Sequence, residues 1–379
     1  MAWKAGIGLL TVTTILCFVH LTTENECKQG KTCFLPDCYC FSNTTVPGNL
    51  PRVKMPQLVV FAFSGAVNID VYGYFRHFFN AERTNANGCP ISATLFVQSR
   101  YSNFTMVNDL YRRGFEIAGY SVSGNPMYIY WKNATAKEME YEIIENRKGL
   151  SRKASIPISE IRGWRTPHLL PVGNAQFGIL QEQGFEYDSS LYFIRRKPVD
   201  PFITPGTLDY EWPFVCERNR CPDRNYTLWE VPAVSYLDYK QQYPCIHVDG
   251  CINLPQNENQ AFQLIWNNFY DYYRDRKLPF VVNMKAIWLN TDFHFRAMER
   301  FIYSLLHLDD VYVVTMHQLV QWMRRPLDVE QMMYADCPRV VSSAAVTVHV
   351  SAMLVLGICM IFGIQFFFLA ALGQRSTNA

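Results

Sequence analysis

The chain has little charge. Its 379 residues carry 35 Lys+Arg against 33 Asp+Glu, a formal net charge of +2, and charged residues make up only 18%. That near-balance argues against a nucleic-acid partner, which needs a basic face. Repeats, low-complexity runs and Ser/Gly linkers are also lacking, so the middle of the chain reads as one continuous globular stretch. An apolar fraction of 49% excludes a disordered chain. Long apolar runs are missing except at the two ends. What the chain does have is cysteine, 12 in all. Cys17 and Cys359 lie in the apolar ends. The other ten (12 − 2) lie between them: Cys27, Cys33, Cys38, Cys40, Cys89, Cys216, Cys221, Cys245, Cys251 and Cys337. An even number between two membrane-directed segments excludes an ordinary cytosolic protein.

Residues 1–23 read as a secretory signal, with Lys4 as the charged start and an apolar core over 7–19. Residues 344–372 are almost wholly apolar, interrupted only by His349 and Gln365, and exceed the roughly 20 residues needed to cross a bilayer. A short polar tail, 373–379, follows. The expectation is a single-pass type I protein of the cell surface or secretory pathway, its bulk extracellular or lumenal. A glycolipid-anchor signal is the rival, because Ser342, Ser343 and Ala344 are small, but it wants a polar spacer and an apolar end. Four N-x-S/T sequons, at Asn43, Asn103, Asn133 and Asn225, are candidate glycosylation sites for that compartment.

Cys27 to Cys40 (CKQGKTCFLPDCYC) form a compact N-terminal knot within 24–50. Such a cluster can hold zinc, but an oxidising compartment favours disulfides. Cys216/Cys221 and Cys245/Cys251 are close enough to pair locally. Cys89 and Cys337 are expected to tie distant parts of the chain together. Connectivity is not readable from spacing.

Residues 51–338 alternate apolar runs with amphipathic stretches. Strands are expected over 57–63, 91–97, 115–118, 280–287 and 311–315. Helices are expected over 71–79, 104–113, 136–150, 175–184, 261–277, 295–308 and 316–323. Such alternation predicts an α/β barrel or doubly wound sheet, and a barrel fits the length.

Specific landmarks follow in order. Cys33-x-Leu35-Pro36-Asp37-Cys38-x-Cys40 precedes Pro47-Gly48-Asn49-Leu50-Pro51. Next come Asn87-Gly88-Cys89-Pro90 and Ala93-Thr94-Leu95-Phe96-Val97. Gly163-Trp164-Arg165-Thr166-Pro167, Phe185-Glu186-Tyr187-Asp188-Ser189-Ser190-Leu191, Trp229-Glu230-Val231-Pro232 and Gln321-Trp322-Met323 complete the set. This order resembles the polysaccharide deacetylases (NodB-homology, carbohydrate esterase family 4), most closely the animal chitin deacetylase-like proteins. The resemblance implies a distorted (β/α)7-8 barrel, stabilised by disulfides and followed by the C-terminal membrane helix. It also implies an ancestry in removing acetyl groups from N-acetylglucosamine polymers. In that chemistry an Asp and two His hold a divalent metal that activates water, a second Asp is the base, and a His is the acid.

The motifs that carry this chemistry are degenerate. Where active relatives have T-F-D-D, this chain has Ala62-Phe63-Ser64-Gly65, so Ser64 stands for the base and Gly65 for a metal ligand. The H-S-x-x-H histidines are replaced by Tyr120 and Gly124. Lys285, before Ala286-Ile287-Trp288, stands for the acid. No catalytic set is intact, the family's zinc site is expected to be lost, and no cofactor is expected. Losing one acid/base group typically costs about 10²–10⁴ in rate. A ligand cleft is expected at Arg165, Pro167, His168, Asp188 and Trp288, with Trp131 also lining it. Asp188 is the expected ion-pair partner of Arg165 or Lys285. His168 with Asp188 is the one replacement metal pair to consider; His294 with Asp292 is expected on a solvated loop. The resemblance thus implies a membrane-anchored, non-catalytic protein that binds chitin or another N-acetylglucosamine-containing glycan, or serves as a surface scaffold. A residual hydrolase of non-peptide C–N bonds and a protein-adhesion module remain as alternatives.

Overall fold

The computed structural model describes residues 26–41, 47–196, 200–216 and 220–337. The leader, the apolar stretch 344–372 with its tail, and Asn43 lie outside them. No helix among the described residues is long and apolar enough to cross a membrane.

The chain begins its alternation with β1 (Gln57–Gly65) and α1 (Ile69–Phe78), then β2 (Thr94–Gln98) and α2 (Phe104–Arg112). β3 (Glu116–Ser121) is followed by α3 (Tyr128–Lys132) and α4 (Ala136–Lys153), and β4 (Gly163–Trp164) by α5 (Gly173–Glu182). A run of two-residue strands comes next: β5 (Tyr187–Asp188), β6 (Tyr192–Phe193), β7 (Gly206–Thr207), β8 (Trp229–Glu230), β9 (Ala233–Val234), β10 (Tyr236–Leu237) and β11 (Pro244–Cys245). Alternation resumes with α6 (Glu258–Asp275), β12 (Phe280–Met284), α7 (Asp292–Leu306), β13 (Val311–Val313), α8 (Met316–Arg324) and α9 (Val329–Met333).

Nine strands form one sheet in the order β12-β1-β2-β3-β4-β5-β8-β7, with β13 paired to the start of β1. All pairs are parallel except β7 with β8. Among the described residues no pairing joins β12 to β7, so the expected barrel is realised as an open half-barrel. The helix boundaries follow local chemistry. Thr135 and Glu138 form a reciprocal cap at the start of α4, and Thr315 with Gln318 does the same for α8, which satisfies N–H groups the helix itself cannot. The expected strand over 280–287 stops at Met284, where the chain turns into a 3₁₀ segment, Ala286–Asn290.

Strand parity sorts the core. Val59, Phe61 and Phe63 of β1 pack outward against the helices, while Leu58, Val60 and Ala62 pack inward with Phe96, Ala118, Tyr187 and Trp229. Side chains on a strand alternate faces. Ser64 therefore continues the inward row of β1, Tyr120 that of β3, and Asn283 and Lys285 that of β12. Because the strands are parallel, these positions gather at the carboxyl end of the sheet, the end where such sheets place their sites.

All ten framework cysteines pair: Cys27–Cys40, Cys33–Cys38, Cys89–Cys337, Cys216–Cys221 and Cys245–Cys251. Cys89–Cys337 joins residues 248 apart, and in the chain-entropy picture a loop that long is worth roughly 5 kcal/mol. The knot's Tyr39 exchanges backbone and side-chain hydrogen bonds with Thr207, which covers the exposed edge at β7.

Candidate functional site

Arg165, one residue past β4, is the centre of the carboxyl end. It is 1% exposed. Its Nε donates to the Ser189 carbonyl at 3.1 Å, one terminal nitrogen to Ser64 Oγ at 3.2 Å, and the other to Ser189 Oγ and Asn283 Oδ1, both at 2.8 Å. The guanidinium lies 4.1 Å from the centre of the Phe96 ring. All four hydrogen-bond partners are neutral, and no carboxylate among the described residues forms an ion pair with it. Burial pushes its pKa down to about 10, still well above neutrality, so the charge stays.

Asp188 is not the partner of Arg165 that sequence predicts, nor of Lys285. Its carboxylate accepts from Ser190 N at 2.7 Å, Ser190 Oγ at 2.9 Å and Gln176 Nε2 at 3.1 Å, and it is wholly buried. Its remaining contact is with Glu230 of the adjacent strand. Burial, then the charge of Asp188, raises the Glu230 pKa well above the usual range, while burial raises Asp188 to about 6. Both carboxyls are therefore pushed toward the protonated form, and the pair favours holding one proton between them.

Three of the five degenerate positions converge. Ser64, Gly65 and Lys285 line one cavity of about 200 Å³, walled by Phe63, Phe96 and Leu95. Tyr120 sits inward beside them, and burial pushes its phenol up to about 12, so it is neutral. Gly65 has open space where a side chain would begin, but its φ of 136° strains any other residue. At Gly124 a Cβ would meet the end of the flexible Gln98 side chain at 2.7 Å, and the φ of 58° strains any residue other than glycine.

The loop that would carry those histidines is fastened from outside. Glu142 of α4, 1% exposed, accepts from Ser121 Oγ (2.8 Å), Val122 N (2.7 Å) and Ser123 N (3.0 Å). Asn146, one turn on, donates to the carbonyls of Val97 (3.0 Å) and Ser121 (2.6 Å). Both were hidden in a helix read as charged and amphipathic. The available signal was two polar residues in phase with Met139, Ile143 and Leu150 on its buried face.

Other expected cleft residues lie elsewhere. Trp288 is 7% exposed and packs in the helix layer, stacked 3.9 Å from His294, whose Nδ1 donates to the Trp288 carbonyl at 3.0 Å. His294 thus belongs to α7 and not to a solvated loop; Asp292 is exposed and pairs with Arg296. Trp131 is fully buried, its Nε1 donating to the Asn125 carbonyl at 2.8 Å. Pro167 is buried in the turn Pro167–Leu169. His168 is exposed, with Nε2 3.2 Å from the Pro126 carbonyl and its ring 5.8 Å from Tyr128, so it braces the rim and does not meet Asp188. Two residues were missed. Within the loop closed by Cys245–Cys251, Asp249 Oδ1 accepts the Lys285 backbone N–H at 3.0 Å. His247 has its pKa pushed down to about 3 by burial and by the charges of Arg165 and Lys285.

A divalent metal requires carboxylate, imidazole or thiolate donors. The five degenerate positions supply a hydroxyl, a neutral phenol, an ammonium and two glycines, with a guanidinium behind them, and so do not fit one. Among the described residues the one group of His, Cys, Asp or Glu gathered closely enough to share an ion is Cys27, Cys33 and Cys38, and their sulfurs are spent in disulfides.

A scan of protein-family models finds no match. The chain is 31% identical to Chitin deacetylase 8 of Bombyx mori over 322 residues, covering 84% of this chain and 83% of that protein. It is 32% identical to Chitin deacetylase 1 of Bombyx mori over 313 residues, 79% of this chain but only 57% of that longer protein. Among solved structures, a protein from Mycobacterium smegmatis assigned to the polysaccharide deacetylases matches with a TM-score of 0.50 at 19% identity, over 75% of this chain and 95% of that one. The PuuE allantoinase matches with a TM-score of 0.51 at 14% identity, over 75% and 95%. Both structures share the fold. With the ordered landmarks, the half-barrel and the identity to the two silkworm proteins, the chain belongs to the chitin deacetylase-like proteins of the polysaccharide deacetylase family, carbohydrate esterase family 4.

Proposed function

We propose that this protein is a membrane-anchored, non-catalytic member of its family that binds an N-acetylglucosamine-containing glycan at the carboxyl end of the half-barrel. The observation that carries this reading is Arg165. It is kept, buried and rigidly held, yet the residue it touches at the base position is Ser64. A serine hydroxyl cannot take a proton from water near neutral pH. The replaced donors leave no set of side chains to activate a metal-bound water. The cavity persists, and Tyr128, Ile287 and Ile69 stand exposed around this end, which suits a sugar's apolar face. Residues 1–23 direct the chain into the secretory pathway, and 344–372 hold it in the membrane. Five disulfides support an oxidising compartment. Asn103, Asn133 and Asn225 are exposed and are proposed glycan carriers.

The test uses the full chain in detergent, incubated with N-acetylglucosamine oligomers with and without zinc. Binding with no acetate release is the expected result. Acetate release that tracks bound zinc would replace this reading with an altered hydrolase. No glycan bound would leave the fold as a protein-binding platform.

A further inference from the structure

The family's site is built from anionic and neutral donors around a cation. Here Ser64 and Gly65 remove two carboxylates and Lys285 adds an ammonium, while Tyr120 and Gly124 are neutral, and the cationic residue behind them has been retained. Arg165 donates to Ser64 Oγ, so the hydroxyl oxygen acts as an acceptor there. The hydroxyl hydrogen has no acceptor among the described residues. Ser64 lines the cavity, so that hydrogen is a polarised donor available to whatever occupies it. Asn283, whose Oδ1 also takes an Arg165 N–H, leaves its buried Nδ2 without a partner. Lys285 follows Met284, the register partner of Phe63, and so stands beside Ser64; it is exposed, and its ammonium makes no ion pair among the described residues. The site therefore holds unspent donors and two positive charges. Among the described residues no carboxylate accepts a hydrogen bond from the Arg165 guanidinium or the Lys285 ammonium, although the Asp249 charge acts on Lys285.

The nearby acids are otherwise engaged or peripheral. Asp188 is spent on Ser190, Gln176 and Glu230. Asp249 accepts the Lys285 backbone N–H. Asp70 lies on the cavity's exposed rim, in the first turn of α1. The phenylalanine walls lower the local dielectric, which strengthens attraction for a negative group.

We propose that this cavity receives an oxyanion, a carboxylate or sulfate, with Ser64 and Lys285 as its direct donors and Arg165 as the fixed charge behind Ser64. Together with the glycan reading, on which this part rests, the ligand is an acidic amino-sugar polymer and not neutral chitin.

The experiment measures binding to the full chain in detergent by titration calorimetry. The probes are inorganic sulfate, an N-acetylglucosamine tetramer, a tetramer alternating N-acetylglucosamine with glucuronate, and the sulfated form of that tetramer. An acidic tetramer should bind at least about tenfold tighter than the neutral one. Lys285→Ala and Ser64→Asp should each weaken acidic binding about tenfold, the second because an internal carboxylate then occupies the anion's place. The glucuronate and sulfated arms decide which oxyanion is preferred. Sulfate binding that depends on both variants, with no oligosaccharide bound, would uphold the anion site and remove the glycan reading. Equal affinity for neutral and acidic tetramers, or acidic binding indifferent to both variants, would overturn the inference while leaving the glycan reading intact.

Discussion

The two ends of the same sheet treat charge in opposite ways. At the amino end, carboxylates are met by donors. Glu116 accepts from Tyr187 Oη at 2.6 Å, Thr94 Oγ1 at 2.8 Å and His317 N at 2.9 Å. Glu186 pairs with Arg162 at 3.1 Å and His317 at 3.3 Å, and Gln321 donates to it at 3.1 Å. At the carboxyl end, Arg165 has only neutral acceptors, and the Lys285 ammonium makes no ion pair among the described residues, while the Lys285 backbone N–H is held by Asp249. The first arrangement holds the strands to α8, and its groups line a cavity of about 800 Å³ in which His317 Nδ1 has no hydrogen-bond partner beyond its ion pair with Glu186. The second is stable only because packing imposes it, and it is left with donors to spare. The contrast separates carboxylates met by side-chain and backbone donors from a buried cation met by neutral acceptors alone.

The largest effect should come from the amino end. Glu116→Ala removes three hydrogen bonds to a charged acceptor and should cost about 3–5 kcal/mol. Urea unfolding of the full chain in detergent would measure it, and a loss below about 1 kcal/mol would mean that this end is held no more firmly than the other.

Ser64→Asp should do the reverse at the carboxyl end. A carboxylate beside the buried Arg165 supplies the missing counter-charge, and stability should rise by about 1–2 kcal/mol in the same assay. A destabilised variant would mean that Arg165 is already satisfied.

The buried acid pair gives a pH signature. The folded-state pKa of Glu230 is raised well above its ordinary value of 4.5. Its contribution is therefore full below that value and is lost as pH rises toward the folded pKa. Stability should fall as pH rises from that ordinary value toward the raised folded-state pKa, and Glu230→Gln, which keeps a donor toward Asp188, should flatten the fall. Thermal midpoints across that range would show it; parallel curves for the two proteins would place the pair's proton elsewhere.

The smallest stability effect belongs to Lys285→Ala, within about 0.5 kcal/mol, because the side chain is exposed and unpaired. A larger loss in the same urea series would mark Lys285 as a structural ion and close the comparison between the two ends.

Local pattern made much of the scaffold readable. β1 was visible as an unbroken apolar run because a parallel strand is buried on both faces. The local cysteine pairs were visible from short spacing. The two-residue strands β4 to β8 were not, because so short a segment carries no period. Trp288 was read as a cleft residue because its motif ends beside Lys285, yet the turn after Met284 rotates it into the helix layer. Asp188 was assigned to Arg165 by charge alone. Glu230 lies 42 positions later in the chain (230 − 188), and only the parallel register of β5 with β8 brings them together.

The sequence alone determined which side chains stand at the motif positions, because an absent carboxylate or imidazole is absent in any conformation. It also determined the family, because ordered landmarks survive without coordinates. The tertiary structure alone decided what the remaining groups do. Strand parity and register placed Ser64, Arg165, Asn283 and Lys285 at one end of the sheet, and partner geometry determined which of their hydrogen-bonding groups are spent and which are free.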